Sequence, residues 1–238
     1  MRRAFACFML LLSLDTSIRG CSVALHNDES LLAGYNLFTD KSSSSMLTTL
    51  IRNCVADAGF QLADLDAIAI AKGPCSYTGL RVGVSTAKGL CYALDKPLIA
   101  INTLEAMSLQ LAPFFPEHLL CPMIDARRME VYAAVFDGQN AQVRETAALI
   151  LDENTFSDML AAHKMVFFGD GAFKFKTLTS SQPNAIFPSI DIKPSARTIG
   201  DLGLVAWREQ RFEDVATFEP YYLKDFMSPN FKKAKLIV

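Results

Sequence analysis

Leu10-Leu11-Leu12-Ser13-Leu14-Asp15 returns 110 residues further on as Leu119-Leu120-Cys121-Pro122-Met123-Ile124-Asp125. Each run is apolar almost throughout, as for a strand buried on both faces, and each is closed by an aspartate. A short turn follows each aspartate. Second apolar runs then stand at matching offsets, Cys21-Ser22-Val23-Ala24-Leu25 and Val131-Tyr132-Ala133-Ala134-Val135. We read this as one α/β unit duplicated, giving two lobes over residues 1–110 and 111–238.

Working outward, the first unit reads β-β-β-α-β-α-β-α. Leu31–Phe38 is a third strand after the turn Asn27-Asp28-Glu29-Ser30. Met46, Leu47, Leu50, Ile51, Cys54, Val55 and Ala58 carry a helical stripe behind four serines, Ser42 to Ser45, and Gly59 ends the helix. Ala67–Ala71 is a strand, Gly73–Thr78 a tight loop, and Gly79–Leu94 a second helix stopped by Asp95-Lys96-Pro97. Leu98–Ile101 is a strand and Thr103–Leu111 a helix. The second unit continues with a strand at Gln142–Ile150, a helix around Asn154–Ala162, a strand at Met165–Phe168, the turn Gly169-Asp170-Gly171, and a helix near Ser195–Gln210.

Composition bounds the chemistry. The 238 residues are 51% hydrophobic and 20% charged, which excludes a disordered chain. A net charge of -2 gives no overall basic field, so high-affinity nucleic-acid binding by this chain alone is disfavoured. Six cysteines, at 7, 21, 54, 75, 91 and 121, form no C-x-x-C, which suits free thiols in the reducing cytoplasm. His26, His118 and His163 stand at no ligand spacing, so no metal site is expected. Met1-Arg2-Arg3 before an apolar run resembles a signal peptide, but no small-x-small cleavage site follows, and a buried strand is the preferred reading. No stretch is long enough to span a bilayer, and no membrane partner is expected. Lys224, Lys232, Lys233 and Lys235 form a basic tail, read as a solvated end.

Two places could carry chemistry. Asp15 with Thr16 and Ser17, and Asp125 with Ala126 and Arg127, could form paired phosphate- and Mg²⁺-gripping loops; alternatively they only satisfy turn amides. Lys72-Gly73-Pro74-Cys75-Ser76-Tyr77-Thr78-Gly79-Leu80-Arg81-Val82-Gly83 joins a strand to a helix. That helix start could hold an anion, or could be a tight turn plus packing. The motif is not a P-loop. In the helix that follows, Leu80, Val84, Ala87, Cys91 and Leu94 form a core seam, while Gly79, Gly83, Thr86, Gly89 and Ala93 leave the remainder small. Two mid-helix glycines each cost about 1 kcal/mol against alanine, which close approach by another backbone would justify.

The 72–90 segment closely resembles the G-P-G-S-F-T-G-L-R-I-G-x5-A-K-G-L segment of the TsaB (YeaZ) family. Supporting likenesses are L-L-S-L-D-T-S-I-R-G-C-S-V-A-L at 11–25, I-D-A-R-R-M-E-V-Y at 124–132, F-G-D-G-A at 168–172 and E-P-Y-Y-L-K at 219–224. Cys75 stands for a usual glycine, Ser42 near a frequent histidine, and Lys224 for a common arginine. The resemblance implies a duplicated actin-like ATPase fold, related to ribonuclease H, and a supporting role in threonylcarbamoylation of adenosine 37 of tRNA. It implies TsaD, the catalytic paralogue, as direct partner, the ATPase TsaE in the complex, tRNA only indirectly, and a homodimer when TsaD is absent. Thr103 and Met107 replace both histidines of the metal-binding N-H-x-x-x-H of TsaD-like proteins. The expectation is a non-catalytic scaffold without a cofactor of its own. Its partner surface is expected on helices 43–58 and 79–94, at Met46, Leu47, Leu50, Leu80, Gly83 and Gly89, with Asp15, Thr16 and Ser17 as a vestigial phosphate loop. The alternatives are a small ATPase or phosphotransferase using Asp15, Asp125 and the Gly169-Asp170-Gly171 turn, or a glycoprotease-like metallopeptidase.

Overall fold

A computed structural model describes residues 9–17, 20–28, 30–39, 43–75, 77–179 and 182–223. Two five-stranded sheets have the same topology. In the first, β1 (Leu10–Asp15), β2 (Cys21–Asn27) and β3 (Ser30–Leu37) form an antiparallel meander. β4 (Ala67–Gly73) and β5 (Leu98–Asn102) then add in parallel beyond β1, giving the order β3-β2-β1-β4-β5. In the second, β6 (Leu119–Asp125), β7 (Glu130–Phe136) and β8 (Gln142–Ile150) form the meander. β9 (Met165–Phe168) and β10 (Ala185–Ile186) add in parallel beyond β6, giving β10-β9-β6-β7-β8.

Strand alternation decides where the helices go. Leu10, Leu12 and Leu14 of β1 face α1 (Ser43–Asp57) and α2 (Tyr77–Leu94) in one core, with Leu47, Ile51, Cys54, Val84, Ala87 and Cys91. Leu11, with Ala67, Ala69 and Ile99, faces the opposite way, against Ile199 and Leu204 of α6 (Ala196–Arg208). The second sheet repeats the split. Cys121, Met123 and Phe167 pack on α4 (Ser157–Ala162) and α5 (Ala172–Leu178). Leu120, Ile124 and Phe168 pack on Leu104 and Met107 of α3 (Thr103–Leu109). The layers therefore run α1/α2, first sheet, α3/α6, second sheet, α4/α5. Burying each large apolar side chain is worth about 1.5–3 kcal/mol, so the strands of both sheets are held from both faces.

The helices cross between halves. α6, late in the chain, lies on the first sheet, and α3, from the first half, lies on the second. Two glycines permit the approach of α6: an added Cβ would stand 2.2 Å from His26 Cε1 at Gly200 and 2.8 Å from Leu11 Cδ2 at Gly203. After α6 a strap runs back along the first sheet. Glu213 N–H donates to Leu98 O (2.8 Å) and Tyr221 N–H to Lys72 O (2.8 Å). Lys88 Nζ donates to Ala216 O (3.1 Å) and Phe218 O (2.9 Å), and Phe218 enters the first core.

Several elements differ from the sequence reading. α2 begins at Tyr77, ahead of Gly79, and α3 ends at Leu109. The helix expected from Asn154 begins at Ser157, because Asp152 Oδ1 accepts from Asn154 N–H (3.0 Å) and Thr155 Oγ1 (2.7 Å) and holds a turn there. α5 and β10 had no expected counterpart; Phe173-Lys174-Phe175-Lys176 alternates with period two, which hides a short helix. Residues 1–8, Ser42 and the lysines at 224, 232, 233 and 235 lie outside the described residues. No helix among the described residues is long and apolar enough to cross a membrane.

Candidate functional site

The two strand–aspartate turns are built differently. After β1, Asp15 is 1% exposed, and its Oδ1 accepts from Ser17 N–H (2.8 Å) and Ser17 Oγ (2.6 Å). Oδ2 is buried with no partner, and burial pushes the carboxyl up to about 6 despite the Ser17 hydrogen bonds. Thr16 Oγ1 donates to Gly79 O (2.8 Å), and an added Cβ on Gly83 would stand 2.2 Å from that hydroxyl. The start of α2 therefore closes over Asp15, Thr16 and Ser17, which are brought together as expected but sealed. The thiol of Cys75, in the loop before α2, is raised well above its usual range by burial and then by Asp15.

After β6, Asp125 is open to solvent. Its Oδ1 accepts from Arg127 N–H (2.5 Å) and Lys174 Nζ (2.7 Å). Burial raises its pKa, but the Lys174 and Arg127 hydrogen bonds outweigh that and hold the carboxyl below the usual range. Asp125 N–H donates to Asp170 Oδ1 (2.8 Å), so the Gly169-Asp170-Gly171 turn braces this loop; burial raises Asp170. A Mg²⁺-nucleotide needs open carboxylates and unoccupied loop amides. One carboxylate here is sealed, the other is neutralised by a lysine, and the Ser17 and Arg127 amides are already bonded. The residues present do not fit that group.

At the joint, Asn102 caps α3, its Oδ1 accepting from Leu104 N–H (2.8 Å) and Glu105 N–H (3.4 Å), while its Nδ2 donates to Thr146 Oγ1 of β8 (2.8 Å). Thr103 and Met107, which the family resemblance set against metal-binding histidines, are fully buried. Met107 packs among Leu104, Ile124 and Phe168, and Thr103 Oγ1 has no partner. Among the described residues no group of three or more His, Cys, Asp or Glu is placed to hold a metal.

The surface expected on α1 and α2 divides. Leu47 and Leu80 are buried in the monomer, and Gly83 faces Thr16 and Ile70. These three are interior positions, a correction whose cause is the apolar seam continuing through them. Met46 and Leu50 are partly exposed, and an added Cβ on Gly89 meets nothing within 4 Å. Beside Gly89, Tyr92 is 87% exposed. The sequence reading did not single it out, although a tyrosine three residues beyond a surface glycine shares its face.

Duplicated sheets of one topology, facing each other across α3 and α6, define a bilobed α/β protein with an actin-like fold. More narrowly, the model for the family "TsaD: tRNA N6-adenosine threonylcarbamoyltransferase" matches residues 38–225, and the chain belongs to that family. It is 32% identical over 146 residues to the tRNA threonylcarbamoyladenosine biosynthesis protein TsaB of Bacillus subtilis, covering 61% of this chain and 62% of that one. To TsaB of Escherichia coli it is 27% identical, covering 91% and 95%. The solved structure of YeaZ from Pseudomonas aeruginosa is 26% identical with a TM-score of 0.74, covering 90% of this chain and 100% of that one.

Proposed function

We propose that this chain is a non-catalytic subunit in the biosynthesis of threonylcarbamoyladenosine in tRNA, acting by docking to a TsaD-type protein. The names of its relatives support the pathway, and membership of the TsaD family supports a paralogue as partner. The observation that carries the non-catalytic reading is the pair Thr103 and Met107. A buried hydroxyl and a thioether inside an apolar core stand where metal-binding imidazoles would be, and neither can serve as their replacement. No cofactor belongs to the chain itself, because both aspartate loops are closed or neutralised.

The docking face lies on α1 and α2 at Met46, Leu50 and Gly89, now joined by Tyr92. A TsaE-type ATPase joins the assembly, tRNA is met only through it, and the same face supports a homodimer when the partner is absent. Co-purification with a TsaD-type protein tests this. Gly89→Glu is expected to abolish it while leaving the chain folded; undiminished binding would refute the face. Calorimetry with Mg-ATP on the isolated chain is expected to give no heat of binding. Micromolar affinity would favour the phosphotransferase alternative.

A further inference from the structure

A polar cup of about 180 Å³ opens between the lobes, lined by Lys72, Asn102, Glu105, Phe136, Asn140 and Gln142. It sits at the carboxyl ends of the parallel strands β4 and β5, where open α/β sheets characteristically place ligands. Its walls are preformed. Asn102 is fixed by three hydrogen bonds, to α3 and to Thr146. Asn140, in the left-handed region (φ 64), is set by a turn in which Asp137 Oδ1 accepts from Gln139 N–H and Ala141 N–H (2.9 and 2.8 Å). Asn140 Nδ2 donates to Glu105 O (3.4 Å), while its Oδ1 is buried without a donor.

The charges around the cup balance. Lys72 and Arg211 act on Glu105 from one sign, and Glu209 acts from the other. A free anion would meet the Glu105 carboxylate, and a free cation would meet Lys72. A small molecule bearing both charges meets a partner for each: an ammonium for Glu105, and a carboxylate for Lys72. Burial raises the Glu105 carboxyl from its ordinary value, outweighing the opposing pull of Arg211 and Lys72. A cavity of about 150 Å³ holds a ligand of benzene's size, so this one suits about six to eight heavy atoms.

We propose that this cup binds a small zwitterionic α-amino acid, of alanine to threonine size, between Lys72 and Glu105. The proposal is independent of the docking role. Calorimetric titration of the full chain with L-alanine, L-serine and L-threonine tests it, with propionate and ethylamine as probes each lacking one charged group. At least one amino acid is expected to bind saturably, and both single-charge probes to bind at least ~10-fold more weakly. Glu105→Gln and Lys72→Met, each checked for folding by circular dichroism, are each expected to weaken binding about 10- to 100-fold. The two variants act independently, so one that fails to fold leaves the other decisive. Absence of saturable binding by all three amino acids overturns the proposal. Propionate binding as tightly as alanine overturns it in favour of an anion site, and folded variants that bind like the wild type overturn it in favour of a site elsewhere.

Discussion

Gly83 and Gly89 share one face of the sequence pattern but not one environment, and their substitutions should part company. At Gly83 an added Cβ meets Thr16 Oγ1 at 2.2 Å and Ile70 Cδ1 at 3.1 Å. Gly83→Glu should lose cooperative unfolding, since it combines overpacking, about 1–3 kcal/mol, with a buried charge. Gly89→Glu should raise stability by up to about 1 kcal/mol through helix propensity, measurable as a shift in urea midpoint. Asp15 makes a second contrast. Its carboxyl is raised from 3.8 to about 6 in the fold. Below pH ~4 both folded and unfolded chains hold the proton. Between pH ~4 and ~6 only the unfolded chain releases it, so stability falls as pH rises, by about 3 kcal/mol, and levels off above. Asp15→Asn should abolish that decline in denaturation curves at pH 4 and 8; an unchanged slope would reassign the effect. The sequence placed Asp15 at a strand end but could not tell a gripping carboxylate from a sealed one. That difference depends on Thr16 meeting Gly79, a contact across 63 residues.

Helix α6 was legible as a helix near Ser195–Gln210, yet not its location, because nothing local says which sheet an amphipathic helix will cover. Its two glycines held that information. Gly200→Val should force the helix off His26 and Ser13 and cost at least about 1–3 kcal/mol, read as a lowered Tm. α5 was the opposite case. Its seven residues complete too few turns for a helical period to show, and its start is fixed by Lys174 reaching Asp125 and Glu130, contacts with a segment far away in sequence. The strap was visible only as an unassigned segment. Phe218→Ala should release it, costing about 3–5 kcal/mol. The same change should raise amide hydrogen exchange at Glu213 and Tyr221, whose N–H groups bond to Leu98 and Lys72.

Duplication was legible because both sheets repeat one order, and buried strands announce themselves as unbroken apolar runs. The join between the lobes was not, since it comes from pairings between halves. Asn102–Thr146 and Asn140–Glu105 tie β8 and its hairpin to α3, so the two lobes should melt together. Scanning calorimetry should give one transition with matching calorimetric and van't Hoff enthalpies; two separated peaks would contradict the interlock.

The crossing of α6 has a consequence for the order in which the chain comes into being. On the ribosome, every strand of the first sheet emerges long before residues 196–208. One greasy flank, Leu11, Ala69 and Ile99 among it, then waits about 100 residues of translation for α6. The nascent polypeptide is thus exposed to misassociation until its final quarter appears, and its yield in the cell should depend on chaperones that shield that flank.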